Sequence, residues 1–197
     1  MRFAAQATEL SGTEIERKAR RWILRGKWLT NHYHNFLHAN VVAYNAKYLS
    51  QKLGLDSTPF VLASLFHDFG HSGGTLTDRE NIEIAVNGLA EFFNEEAYLL
   101  KDLKFDYIER LIRCTEFPYT TDPKDIGECI MRDADRLCGF RQNHIHEVVI
   151  GFLVGERGLP LETAFMEQKK FIQSVCFYTA PAVSIADKRR KLILKDL

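Results

Sequence analysis

The sequence predicts an all-α fold, and three of its features carry that prediction. Apolar residues recur at helical spacing along most of the 197 residues, whereas the alternating pattern of strands is nearly absent. Glycine and proline residues divide the chain into segments of helical length. No internal repeat, low-complexity tract or linker interrupts these segments. We therefore expect residues 1–197 to form a single compact helical domain with one sizeable core.

The first part of the chain is expected to contribute a buried central helix. The segment Ser11 to Glu14 resembles a capping box, which predicts the start of a first helix. A second helix is predicted from about 30 to 53. Pro59 suits a first helical position, and residues 60–66 are apolar on nearly all sides, so this third helix should be buried.

The second part is predicted to continue as helices joined by short loops. Residues 69–74 contain three glycines and should form a loop. Asp78 is a candidate cap for a helix that runs to Phe93. The remaining helices are predicted near 103–114, 123–137, 139–155, 161–177 and 184–197.

Composition restricts the kinds of partner. The chain has 26 basic and 26 acidic residues, and a net charge of zero argues against a nucleic acid or a membrane as the main partner. The sequence has no apolar run of about 18 residues to span a bilayer and no apolar core of a signal peptide. The four cysteines form no C-x-x-C pair and are expected to be buried thiols. We expect a cytoplasmic protein that acts on a small molecule, with its oligomeric state left open.

Histidines concentrate in two short segments. Five of the seven histidines lie within residues 32–38 and 67–71, and the second segment also contains Asp68. His34 and His38 are four residues apart, so on a helix they would share one face. Imidazoles and carboxylates that converge from two helices predict a metal site, and an open metal site predicts hydrolysis.

The pair His67-Asp68 follows the apolar central helix. These two side chains would diverge on a continuous helix, but a helix that ends beside Gly70 would let both reach one ion. A further carboxylate is available from the mostly apolar helix that carries Asp133 and Asp135. A buried carboxylate is costly unless it is paired, hydrogen-bonded or bound to a cation, so either aspartate is a candidate for the last ligand.

This order of residues resembles the HD superfamily of metal-dependent phosphohydrolases. That family has a histidine, a later His-Asp pair and a still later aspartate on separate helices. Leu62 to Gly70 is similar to its central helix, and Ala134 to Leu137 is similar to the segment with its last metal ligand. On this resemblance Asp135 takes the ligand role, with Asp133 as the alternative. The implied fold is an all-α domain of the HD/phosphodiesterase type around a central buried metal site.

A narrower resemblance is to the animal-type cyclic-nucleotide phosphodiesterases. Tyr33 to Val42 resembles their signature, and His67 to Gly73 is similar to their second motif. Glu80-Asn81 stands where they carry a Glu-Asn pair, and Thr115 to Phe117 resembles their Thr-Asp-Met. Gln168 to Ile172 resembles their base-clamping segment much more weakly. The chain is far shorter than those catalytic domains.

The resemblance implies a role for each residue of the site. The implied metal ligands are His38, His67, Asp68 and Asp135. His34 would be the general acid that protonates the leaving oxygen, and Glu80 would orient it. His71 would lie near a second ion that Asp68 bridges. Two imidazoles and two carboxylates suit one or two divalent ions, with Mn, Fe, Co, Zn and Mg all open.

The implied reaction is the attack of a metal-activated water on a phosphate ester of a nucleotide or a similar small molecule. A cyclic-nucleotide phosphodiesterase is its narrowest version. A phosphomonoesterase or nucleotidase fits the same site, because the motifs around the metal do not decide between a monoester and a diester. A non-catalytic metal-binding regulatory module is a further alternative, as is a di-iron oxygenase in which His71 would be an added ligand.

Overall fold

The computed structural model describes residues 12–197, which form helices joined by loops and contain no strand, so the all-α prediction is confirmed. The α-helices are α1 (Glu14–Trp22), α2 (Phe36–Lys52), α3 (Thr58–Phe66), α4 (Asp78–Glu95), α5 (Ala97–Leu100), α6 (Phe105–Arg113), α7 (Ile126–Arg136), α8 (Leu161–Ser174) and α9 (Ala180–Asp196). Two 3₁₀ segments, Lys27–Thr30 and Leu137–Phe140, and a π-helix, Ile145–Glu156, also occur. No helix in this part of the chain is both long enough and apolar enough to cross a membrane.

Helix α3 lies at the centre of the main core. Every side chain from Phe60 to Phe66 is buried, as the apolar segment predicts. The helix packs chiefly against α2 and also contacts α1, α6 and α7. Each large apolar side chain buried there contributes on the order of 1.5–3 kcal/mol. Because several helices surround α3, the residues at its C-terminal end, His67 and Asp68, extend from a well-packed support.

A second, smaller cluster joins the π-helix to α8. It contains the buried side chains of Val149, Leu153 and Ala164, and we call these three residues the satellite core. Phe152 packs beside them. The π-helix ends at Glu156, so packing in the satellite core fixes the position of that carboxylate.

The N-terminal caps of α1 and α4 differ from the predicted ones. Ser11 lies outside the described residues, and Thr13 is the N-cap of α1. Thr77, rather than Asp78, caps α4, because its hydroxyl accepts the N–H of Glu80 at 3.3 Å. The first N–H groups of a helix lack intrahelical acceptors, and a threonine side chain just before the helix supplies one.

Helix α2 begins at Phe36, so the expectation that His34 and His38 share one helix face is wrong. The side chain of Asn35 accepts the N–H groups of Leu37 and His38 at 2.9 and 3.3 Å, and thereby caps the helix. His34 lies before the helix, with its ring centroid 5.8 Å from that of His38. The two histidines are neighbours because the chain turns at Asn35.

The region after α7 departs most from the prediction, which placed one ordinary helix over 139–155. The chain instead forms a 3₁₀ turn over Leu137–Phe140 and then the π-helix over Ile145–Glu156. A π-helix is rare and often occurs where function requires a side chain to be redirected. Here it delivers Glu156 to the histidine segment before α2.

Candidate metal centre

The predicted metal ligands meet at one end of α3. Helix α3 ends at Phe66, and the chain turns through His67 and Asp68 to Gly70, whose φ of 75° suits glycine. His67 Nε2 lies 3.0 Å from Asp68 Oδ2. His38 Nε2, from the first turn of α2, lies 3.2 Å from the same oxygen. The end of the helix therefore lets two adjacent side chains face one point.

Two buried polar atoms of this cluster have no hydrogen-bond partner among residues 12–197. His67 Nδ1 lies 2.7 Å from Ser64 O, so Nδ1 carries the proton and Nε2 presents a lone pair to the cluster. His67 Nε2 and Asp68 Oδ2 are close together, yet neither has a hydrogen bond within the described chain. Buried polar atoms are nearly always satisfied. A lone pair and a carboxylate oxygen that face each other in this way suit a shared metal ion.

Helix α7 contributes Asp135 to the cluster and directs Asp133 elsewhere. Asp135 Oδ1 lies 3.3 Å from His38 Nε2. Asp133 is fully buried and accepts the N–H groups of Tyr178 and Thr179 at 3.0 and 2.7 Å, just before α9. The geometry therefore brings Asp135, and not Asp133, to the ligand histidine.

The carboxylates of the cluster are ionised. Burial would raise the pKa of Asp68, but the nearby His67 and His34, together with contact to His38, hold that pKa well below its usual range. Burial opposes the ionisation of Asp135 as well, yet contact with His38 lowers its pKa. Anionic oxygens and imidazole nitrogens are donors that divalent cations accept.

His34 is held by Glu156, a residue that the sequence does not single out. Glu156 Oε1 accepts the backbone N–H groups of Tyr33 and His34 at 2.6 and 2.9 Å, and Oε2 contacts His34 Nδ1. The Glu156 side chain is 3% exposed. Burial would raise its pKa, but the hydrogen bond and the charge of His34 lower it, so the group is an anion. With Nδ1 engaged, His34 has Nε2 available for a ligand.

His71 stacks on His34 beside the ligand cluster. The two ring centroids are 3.9 Å apart, at an interplanar angle of 26°. A ring nitrogen of each histidine lies within 4.8 Å of a carboxylate oxygen of Asp68. Burial, followed by the nearby His34, lowers the pKa of His71 to about 4, so this ring is neutral at pH 7. The structure thus places His71 next to Asp68, and its role near a second ion stays a prediction.

Glu80, the predicted partner of His34, is not brought to the site. Its Oε2 accepts the N–H and the hydroxyl of Thr77 at 2.8 and 2.7 Å and completes a capping box at the start of α4. The Glu80 side chain is exposed. Thr77 and Glu80 stand at capping-box spacing, which is a local sequence signal that Glu80 caps α4 rather than orients His34. Glu156 has no such signal, because it meets His34 across 122 residues.

The weaker motif residues have structural partners of their own. Gln168, the candidate base clamp, is buried and donates a hydrogen bond to Gly139 O at 3.3 Å. The hydroxyl of Thr115 donates to Ile112 O at 2.7 Å. His32 is exposed, as expected for a residue without a role at the metal. The two hydrogen bonds account for the side chains of Gln168 and Thr115 without a ligand.

Comparison with known proteins relates the chain to a known family. Residues 36–139, more than half of the chain, match the model of the family described as HD domain. The chain is also similar to the Lin1889 protein of Listeria innocua, with a TM-score of 0.60, 21% identity, and coverage of 93% of this chain and 91% of that chain. This second likeness concerns the fold alone. None of the curated proteins matches, and the narrower phosphodiesterase likeness stays a prediction.

Proposed function

Because the chain belongs to the HD domain family, whose members are generally metal-dependent hydrolases, we propose that it hydrolyses a phosphate ester. The observation that supports this most is the pair of buried atoms, His67 Nε2 and Asp68 Oδ2, that lack a hydrogen bond within the described part of the chain. A bound cation would satisfy two buried polar atoms that face each other without a hydrogen bond.

In this proposal His38, His67, Asp68 and Asp135 hold the cation. A divalent ion supplies Lewis acidity when bound, which activates water and offsets the charge on phosphoryl oxygens. Nitrogen and oxygen donors in this number fit Mn, Fe, Co, Zn or Mg. Room for a second ion is supported by Asp68, whose carboxylate also lies near a ring nitrogen of His71.

His34 is the proposed general acid. Its protonated ring would donate the Nε2 proton to the leaving oxygen, a role worth roughly 10²–10⁴ in rate. Glu156 would fix the ring through Nδ1 and stabilise its positive charge. His71, neutral and stacked on the same ring, would support it from one side.

The proposed substrate is a nucleotide or a similar small phosphate ester. The motif from Tyr33 to Val42 supports the narrower version, a cyclic-nucleotide phosphodiesterase. A phosphomonoesterase or nucleotidase is the alternative on the same residues. A small molecule is favoured over a nucleic acid or a membrane because basic and acidic residues are equal in number. A cytoplasmic location remains part of the proposal.

Metal analysis followed by hydrolysis assays tests this function. The purified protein, loaded separately with Mn²⁺, Mg²⁺, Co²⁺ and Zn²⁺, would be assayed on bis-(p-nitrophenyl) phosphate, p-nitrophenyl phosphate, cyclic nucleotides and nucleoside monophosphates. Metal-dependent release of product is expected, and activity on diesters without monoesters would favour the phosphodiesterase. Bound metal without hydrolysis of any ester would instead support a non-catalytic metal-binding module. The matched control is Asp133→Asn, which keeps the neighbouring carboxylate of Asp135 intact.

A further inference from the structure

Three groups of potential metal ligands overlap in the described chain. Within each group the ligand atoms lie within 4.8 Å of one another, and the groups are His34–Asp68–His71, His38–His67–Asp68 and His38–Asp135–Cys138. The first two groups share Asp68, whereas the second and third share His38. The third group contains a thiol that the proposed hydrolysis does not use.

The local backbone explains why Cys138 faces the same point as Asp135. Helix α7 ends at Arg136, and the chain tightens into the 3₁₀ turn that contains Cys138. Asp135 lies in the last turn of α7 and Cys138 three residues later, and residues three apart are neighbours on a helical surface, so the two side chains stand on one face. The amide of Asn45 donates to Ala134 O at 2.9 Å and lies 4.0 Å from the Cys138 sulfur. Helix α2 thereby holds the thiol in place.

A small cavity adjoins both the Cys138 thiol and the His38 side chain. Its volume is about 40 Å³, and Tyr33, His38 and Cys138 line it. Arg141 also lines the cavity, but its guanidinium pairs with Glu147 at 2.9 Å, so its charge is balanced. A space of this size accommodates one ion or water rather than an organic ligand. The Cys138 side chain is otherwise buried, with 2% of the residue exposed.

We propose that His38, Asp135 and Cys138 form an alternative position for a thiophilic cation, with Zn²⁺ as the metal of choice. Thiolate and imidazole donors favour Zn²⁺, whereas Mg²⁺ and Mn²⁺ prefer oxygen. When the sulfur–metal bond forms, the thiol proton passes to solvent. Because His38 belongs to both groups and the proposed function also uses Asp135, a cation at this position withdraws both residues from the ligand set of His67 and Asp68. Zinc at Cys138 is therefore inhibitory, a consequence that rests on the proposed function.

X-ray absorption at the zinc edge tests the position directly. In the zinc-loaded wild-type protein we expect a sulfur shell at about 2.3 Å beside nitrogen and oxygen at about 2.0–2.1 Å. Cys138→Ser should lose the sulfur shell, and Cys138→Ala should lose it as well. The matched control, Cys176→Ser, removes an exposed thiol and should retain the shell. A wild-type spectrum without sulfur, or a sulfur shell that survives Cys138→Ser, overturns the proposal.

Zinc titration of the manganese-loaded protein tests the inhibitory consequence. For each variant the readout is turnover with zinc divided by its own turnover without zinc. The zinc concentration that halves this ratio should be at least about tenfold higher in Cys138→Ser than in the wild type. Removal of a residue that only supports a metal ligand already weakens metal binding by about that factor, and Cys138 is a proposed ligand itself. An unchanged inhibitory zinc concentration in Cys138→Ser would contradict the claim that zinc at Cys138 excludes the metal bound by His67 and Asp68. If no form hydrolyses any ester, the proposed function fails, while the absorption experiment still decides whether zinc binds Cys138.

Discussion

The two halves of the candidate site differ in how the chain builds them. The ligand half comes from α2, α3 and α7 of the main core, where His67 and Asp68 follow a helix with a continuous buried segment. The acid half depends on the π-helix and the satellite core, which bring Glu156 to His34 across 122 residues. The proposed metal ligands and the proposed general acid thus depend on different packing, and a substitution in one half should spare the other.

The largest expected effect comes from breaking the ligand half with His67→Ala. Loss of the ring nitrogen that faces Asp68 should abolish stoichiometric metal binding and lower turnover by about 10⁴-fold or more. Metal charge is worth several kcal/mol in the transition state, and about 1.4 kcal/mol is tenfold in rate. Metal content by mass spectrometry, measured with turnover, checks this. Full metal content in the variant would show that the cluster is not the site.

The acid half is broken by His34→Ala. Turnover should fall by roughly 10²–10⁴, because the leaving oxygen loses its proton donor. Metal content should remain at the wild-type level, since His34 lies outside the group of His38, His67 and Asp68. Metal analysis and kinetics on the same variant distinguish loss of the proton donor from loss of the metal. Loss of metal from His34→Ala would show that His34 is a metal ligand and that the two halves of the site are not independent.

A smaller effect is expected from Glu156→Gln, which keeps the shape of the side chain and removes its charge. Partners that orient a functional group typically contribute about 10–100-fold, so kcat should fall by that amount with metal content unchanged. Glu80→Gln is the matched control, because Glu80 is exposed and its carboxylate accepts hydrogen bonds from Thr77 in a capping box away from His34. Equal loss of kcat in both variants would remove the special role of Glu156.

The smallest effect on turnover is expected from Asp133→Ala, although this variant should be less stable. The N–H groups of Tyr178 and Thr179 would lose their acceptor, which costs about 1–3 kcal/mol, and the melting temperature should fall by about 2–4 °C for each kcal/mol. Asp135→Ala should show the reverse, with metal lost and melting of the metal-free protein little changed. Calorimetry and metal analysis distinguish them. Metal loss from Asp133→Ala would reverse the assignment of the two aspartates.

The sequence singles out the residues of the ligand half because their signals are local. The apolar run before His67 is long enough to require a buried helix, and Gly70 provides the positive φ that ends the turn. Two imidazoles and a carboxylate at the end of such a helix have no inexpensive structural explanation. The choice between Asp133 and Asp135 required the family resemblance, since both lie on the same mostly buried helix.

The acid half is predicted poorly because its contacts are not local. Glu156 is one of many acidic residues in the sequence, and only the tertiary fold reveals that its carboxylate caps the backbone at Tyr33 and His34. The π-helix that positions it has the same apolar spacing over 139–155 as an ordinary helix would show. Glu80 was assigned to this role by resemblance, although its spacing from Thr77 favours a capping box.

Anomalous diffraction from crystals soaked in Mn²⁺ would locate the metal at the candidate centre. We expect a manganese peak bonded to His38 Nε2, His67 Nε2 and carboxylate oxygens of Asp68 and Asp135. His34 Nδ1 should remain on Glu156 in the same crystals. A manganese peak elsewhere, with His67 and Asp68 satisfied by other partners, would contradict the claim that these residues form the metal centre.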